Sequence, residues 1–80
     1  MQSNRLMRLA VNEEGFVFDP QTGESFTVNG TGRVLLMALI AQQSEEGIVG
    51  ELVHRFGLKI QEAQADLRDF VEHLRFLRLL

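Results

Sequence analysis

The chain is 80 residues long with an apolar share of 45%, enough for one small core. It has no cysteine, which excludes a disulfide framework, a thiolate nucleophile and a cysteine-ligated metal. Eight Lys and Arg against eleven Asp and Glu give a net charge of -3, the wrong sign for a protein whose affinity comes from neutralising phosphates.

The longest apolar run, Val34 to Ala41, falls far short of the roughly 20 residues needed to cross a bilayer. The opening MQSNRLMRLA lacks the apolar segment and small-residue cleavage site of a secretory signal. The expectation is one cytoplasmic domain over residues 1–80, with no membrane and no nucleic-acid partner.

Arg5 to Val11 alternates, with Met7, Leu9 and Val11 on one side, and reads as a first strand. Asn12 to Gly15 is a polar turn ending in a residue free to take positive φ. GFVFD is the second strand, with Phe16 and Phe18 sharing a face. In DPQTG, Pro20 presets φ and Gly23 suits a left-handed closing position, so ESFTV returns as the third strand of a hairpin. Burial of apolar residues predicts the register that puts Phe16, Phe18, Phe26 and Val28 together.

Asn29 or Thr31 caps a first helix running through Gln43, apolar nearly all round. Ser44 caps a second, with Glu45 and Glu46 at its positive end, Ile48, Leu52, Val53 and Phe56 inside, and Gly57 closing it. After Ile60 a third helix buries Ala63, Leu67, Phe70, Val71, Leu74 and Leu77. Its exposed part is sorted by charge: Glu62, Asp66, Asp69 and His73 lie along one flank, Arg68 and Arg75 along the other. Strands first and helices afterwards give an α+β domain, β-β-β-α-α-α, with helices covering one face of a three-stranded antiparallel sheet.

Catalytic signals are missing. Gly30-Thr31-Gly32 opens a helix after a strand, but Leu35 stands where a dinucleotide fingerprint needs its third glycine. His54 and His73 lie on different helices without companion ligands, and Ser25, Thr27 and Ser44 have no activating histidine in pattern. The carboxylates of the third helix read as a solvated face. The expectation is a protein that is not an enzyme and carries neither cofactor nor metal. Phe76 falls on the outer side of the third helix, placed either to pack under the closing LRLL or to serve a contact surface.

The third strand forms one border of the sheet. Ser25-Phe26-Thr27-Val28 contains no lysine or proline to blunt it, so its free N–H and C=O groups can template a visiting chain. Cover by the C-terminal tail or by a second copy is the other use of such an edge.

The run GFVFDPQTGESFTVNGTGRVLL, followed by EEGIVGELVHRFG and ADLRDFVEHLRFLRLL, resembles the PqqD-like peptide chaperones, also called RiPP recognition elements. The likeness spans about Leu9 to Leu80, and its most specific parts are TGE, the Val28-Asn29 step into Thr31-Gly32, Asp66-Leu67 with Phe70-Val71, and the closing Leu79-Leu80. The resemblance implies a winged-helix-like fold that holds a ribosomally made precursor peptide against the third strand and third helix. It also implies a modifying enzyme as second partner, often a radical SAM protein.

Carried over by position, the peptide-binding residues are Ser25, Phe26, Thr27 and Val28 on the strand and those between Asp66 and His73 on the helix. If the acidic flank faces the strand, Asp66, Asp69 and His73 rim the groove, Phe70 floors it, and the ligand carries Lys or Arg. The Arg68/Arg75 flank would instead call for an acidic ligand; the aromatic surface of His73 and Phe76 favours the acidic side.

One departure from the family is Arg78, where a glycine commonly precedes the two leucines, and another is Gly47 in the first turn of the second helix. Two other classes share this inventory. A winged-helix DNA-binding protein would want a basic recognition helix, whereas residues 61–76 hold Glu62, Asp66, Asp69 and Glu72 against Arg68 and Arg75. A small assembly subunit would pair its edge with a copy of itself or a larger enzyme, so both monomer and homodimer fit the sequence.

Overall fold

Polar turns and caps divide the chain into its elements. In a computed structural model describing residues 4–80, these run α1 (Asn4–Met7), β1 (Ala10–Val11), β2 (Phe16–Phe18), β3 (Ser25–Thr27), α2 (Gly30–Ile40), α3 (Glu45–Phe56) and α4 (Ile60–Phe76). The strands form one antiparallel sheet in the order β1-β2-β3, and the three long helices follow it, as the pattern predicts.

The first strand is shorter than expected. Arg5 to Arg8 turn helically and only Ala10 and Val11 pair with β2. Leu6 and Leu9, three residues apart, are both buried, and over so few residues a period of 2 and one of 3.6 fit the same letters.

The hairpin register also corrects the sequence reading. Val17 stands opposite Phe26, Phe16 opposite Thr27 and Phe18 opposite Ser25. Val17 is therefore the completely buried residue of β2, at 0% exposure, while Phe16 and Phe18 point to the other side and are 55% and 45% exposed. The turn decides this parity. Asp19 N donates to Glu24 O at 2.9 Å and Gly23 N to Asp19 O at 2.8 Å, with Gly23 at φ 77°, and this closure fixes which residues oppose each other. At the other end of β2, Gly15 at φ 90° brings its backbone so close to Val28 that a Cβ would strike the Val28 carbonyl oxygen.

Helix limits follow their caps. Asn29 Oδ1 accepts from Gly32 N at 2.7 Å, and Ser44 Oγ accepts from Gly47 N at 3.1 Å. Glu62 reaches back to accept from Lys59 N at 2.9 Å, and Gly57 ends α3 at φ 65°. The first long helix stops at Ile40, short of Gln43, because Gln42 takes φ 59° and Gln43 N turns back to Ala38 O at 3.0 Å.

The core gathers Val17, Leu6 and Leu79 with the inner faces of α2, α3 and α4, including Leu36, Ile48, Leu52, Ala63 and Leu74. Val49 occupies the inner stripe of α3 in place of Phe56, which is 41% exposed. Phe76 does not pack under the C-terminal residues and is 82% exposed.

Candidate functional site

Because β3 ends the sheet, β2 is its only strand partner among the described residues. Bonds from Val28 N to Gly15 O and from Asp19 N to Glu24 O set the alternation of the β2–β3 ladder, which turns the N–H and C=O of Phe26 inward to Val17. The same alternation turns those of Ser25 and Thr27 outward, and both residues are exposed. This border is a two-residue template of paired donors and acceptors.

Two openings lie along it. One, of about 440 Å³, is lined by Val28, Asn29, Thr31, Gly32 and Leu35 on one side and by Asp66, Asp69, Phe70 and His73 of α4 on the other. The second, of about 280 Å³, is lined by Ser25, Phe26 and Thr27 against His73, Leu77 and Leu79, with Arg5, Asp19 and Glu24 at its far end. His73 lines both, so the two openings adjoin at that side chain, between β3 and α4, and are described together as the groove. Ser25, Phe26, Thr27, Val28, Asp66, Asp69, Phe70 and His73 each line one or both of these openings, whereas Leu67, Arg68, Val71 and Glu72, which also fall between Asp66 and His73, line another opening.

The floor is closely packed. A Cβ on Gly32 would come within 3.1 Å of Asn29 Oδ1 and 3.3 Å of Val28 Cβ, while the Phe70 ring, at 3.5 Å, lies at ordinary contact distance from that position. The acidic flank faces the groove. Arg68 and Arg75 lie on the other side of α4, lining an opening with Glu45 and Glu72, and Arg75 pairs with Glu72 at 2.9 Å. Among the described residues, neither Asp66 nor Asp69 has an ion-pair or hydrogen-bond partner.

The far end of the groove is tied by charge. Asp19, only 2% exposed, has Arg5 Nε at 3.5 Å and Arg8 at 3.8 Å from its Oδ2, while its Oδ1 accepts from Gln21 N at 3.0 Å. The Gln21 N–H first, and then the Arg8 and Arg5 charges, hold the Asp19 carboxyl below the ordinary carboxylate range against the opposing effect of its burial. Arg5 also reaches Glu24 at 3.3 Å and donates to Arg78 O at 3.1 Å. It thereby joins α1, the hairpin turn and the C-terminal residues. In the sequence Asp19 reads only as a turn former; its place in DPQTG carries no sign of two arginines arriving from the chain's start.

Leu79 is buried at this end. Leu79 N donates to Leu74 O at 2.8 Å and Arg78 N to Arg75 O at 3.0 Å, a reversal that folds the last residues back on α4. Among the described residues, no three His, Cys, Asp or Glu side chains form a group able to hold a metal ion. No helix among them is long and apolar enough to cross a membrane.

The arrangement offers main-chain hydrogen bonds along one wall, an aromatic floor, and unpaired carboxylates at one end. A family model, PqqD, described as coenzyme PQQ synthesis protein D, matches residues 14–80. No curated protein and no solved structure matches the chain.

Proposed function

The chain belongs to the PqqD family, and on that premise we propose that it binds an extended segment of a ribosomally made precursor peptide as a fourth strand on β3 and presents it to a modifying enzyme. The observation that carries this reading is the groove itself. Ser25 and Thr27 aim their backbone donors and acceptors outward beside an opening that meets, at His73, a second one lined by Asp66, Asp69 and Phe70. A strand docked there gains main-chain hydrogen bonds from β3, and alternate side chains enter the space over Phe70.

The chemistry of the ligand follows from the walls. Apolar anchors suit Phe26, Val28 and Phe70, and a Lys or Arg suits the unpaired Asp66 and Asp69. The protein acts in this reading as an adaptor without chemistry of its own, and the reaction belongs to the partner enzyme.

Titrating isotope-labelled protein with a short precursor peptide encoded beside its gene is expected to shift the amides of residues 25–28 and 66–73. Thr27→Pro sharpens the test: its N–H points away from β2, so proline there costs the sheet no ladder bond while removing a donor from the free edge. Binding should drop by roughly tenfold with the native fold retained. Shifts confined to other residues, or a Thr27→Pro variant that binds as well as the unaltered protein, would overturn the proposal.

A further inference from the structure

An antiparallel sheet with helices on one face ordinarily turns apolar residues inward and polar residues to water. β2 does the reverse in size. Its small Val17 is completely buried, and its two phenylalanines stand outside, 55% and 45% exposed. Their cross-strand neighbours on that face are Ala10, Ser25 and Thr27, all too short to cover an aromatic ring. Neither ring belongs to the core or is among the side chains packed against it, whereas α2, α3 and α4 contribute their buried residues to the core that takes in Val17.

These exposed rings lie one strand away from the open edge. A strand added to β3 runs about 4.8 Å beyond it, and its side chains alternate between the groove and the outer face. Those directed outward are necessarily the same-face neighbours of Ser25 and Thr27. Across these two short side chains, β2 and an added strand lie roughly 10 Å apart, a gap that a phenyl ring from one side and a branched apolar side chain from the other can close.

We infer that the ligand strand is apolar on both faces, its outward side chains lying across Ser25 and Thr27 onto Phe18 and Phe16. This inference rests on the strand-addition reading and deepens it. The groove side of the ligand is recognised by Phe70 and the Asp66/Asp69 carboxylates; the outer side is recognised by the two exposed rings. The sequence class of the ligand is then a short run without the apolar/polar alternation of an ordinary edge strand, carrying β-branched or aromatic residues at the outward positions and a basic residue on the groove side.

Two blocked nine-residue peptides test this. Both alternate Leu with a second residue and carry one Lys in the Leu set; the second residue is Val in one peptide and Ser in the other. The Val peptide should bind roughly tenfold more tightly than the Ser peptide. In Phe16→Thr/Phe18→Thr, which keeps residues of high strand propensity, that ratio should collapse to about one while both peptides still shift the amides of residues 25–28.

A ratio unchanged by the double substitution, with those shifts present, overturns this inference and leaves strand addition standing. No shift at residues 25–28 with either peptide removes strand addition, and this inference with it. If the double variant loses its fold, proton contacts between the Phe16 and Phe18 rings and the Val methyls in the unaltered protein decide in its place, and their absence in a complex that shifts residues 25–28 overturns the inference.

Discussion

The two ends of the groove use charge in different ways. At the end near α1, Arg5 and Arg8 surround a buried Asp19, Arg5 also reaches Glu24, and the Arg78 carbonyl accepts from the same guanidinium. At the other end, Asp66 and Asp69 stand one turn apart on α4 with no partner among the described residues. The first set of charges has its counter-ions inside the protein and serves to hold elements together. The second has none, so its attraction is available to something that arrives. The opposite flank of α4 gives a reference, because there Arg75 already has Glu72 at 2.9 Å.

Charge reversal separates these roles most strongly. Asp66→Lys/Asp69→Lys should weaken binding of a lysine-bearing peptide by roughly ten- to a hundredfold and reduce its salt dependence. Its unfolding should change little, since exposed carboxylates without partners contribute little to the fold. Arg68→Glu/Arg75→Glu, on the other flank, should leave peptide affinity within about twofold. Titration calorimetry at two salt concentrations measures both. If the two double variants weaken binding equally, the division between open and tied charge does not describe the ligand's interaction.

The tied end should answer to acid instead. Asp19 is held below the ordinary carboxylate value of 3.8 by the Gln21 N–H and by its two arginines. The folded state thus keeps it ionised to lower pH than the unfolded chain does. Its contribution is complete above about pH 4 and is lost as pH falls through the folded-state value. Asp19→Asn should therefore lower the urea midpoint at pH 7, and the gap between variant and unaltered protein should narrow progressively below about pH 4. A gap that stays constant down to about pH 2 would mean that the carboxylate charge is not what holds this end together.

The sequence makes one of these ends legible and hides the other. Asp66, Asp69, Phe70 and His73 recur at helical spacing on one flank, so their grouping follows from the periodicity of a long helix. Ser44 and Gly57 likewise announce the limits of α3 by their chemistry. The Asp19 cluster joins residues from α1, the hairpin and the chain's end, and no local pattern reports contacts over such separations. The sheet face escapes sequence reading for a different reason. Phenylalanine is ordinarily the residue to bury, but parity in a hairpin is set by its turn, and the closure between Asp19 and Glu24 places Val17 inside. The outward position of the rings is itself informative, because it places two aromatic side chains, 55% and 45% exposed, outside the core.

Arg78 provides the smallest and most local test of the tied end. It adopts φ 61° to reverse the chain after α4, the conformation for which glycine is ordinarily used. An L-residue there carries roughly 1–2 kcal/mol of backbone strain, while glycine returns roughly 0.5–1 kcal/mol through its freer unfolded chain. Arg78→Gly should therefore stabilise the protein by somewhat under about 1 kcal/mol. Arg5 donates to the main-chain oxygen of Arg78 and not to its side chain, so the knot at this end should survive the change. Peptide affinity should also be unaltered, since the substitution touches neither β3 nor the acidic flank. Urea unfolding of the variant decides the matter: a loss of stability would show that the Arg78 side chain itself helps to fasten this end, and that the backbone alone does not.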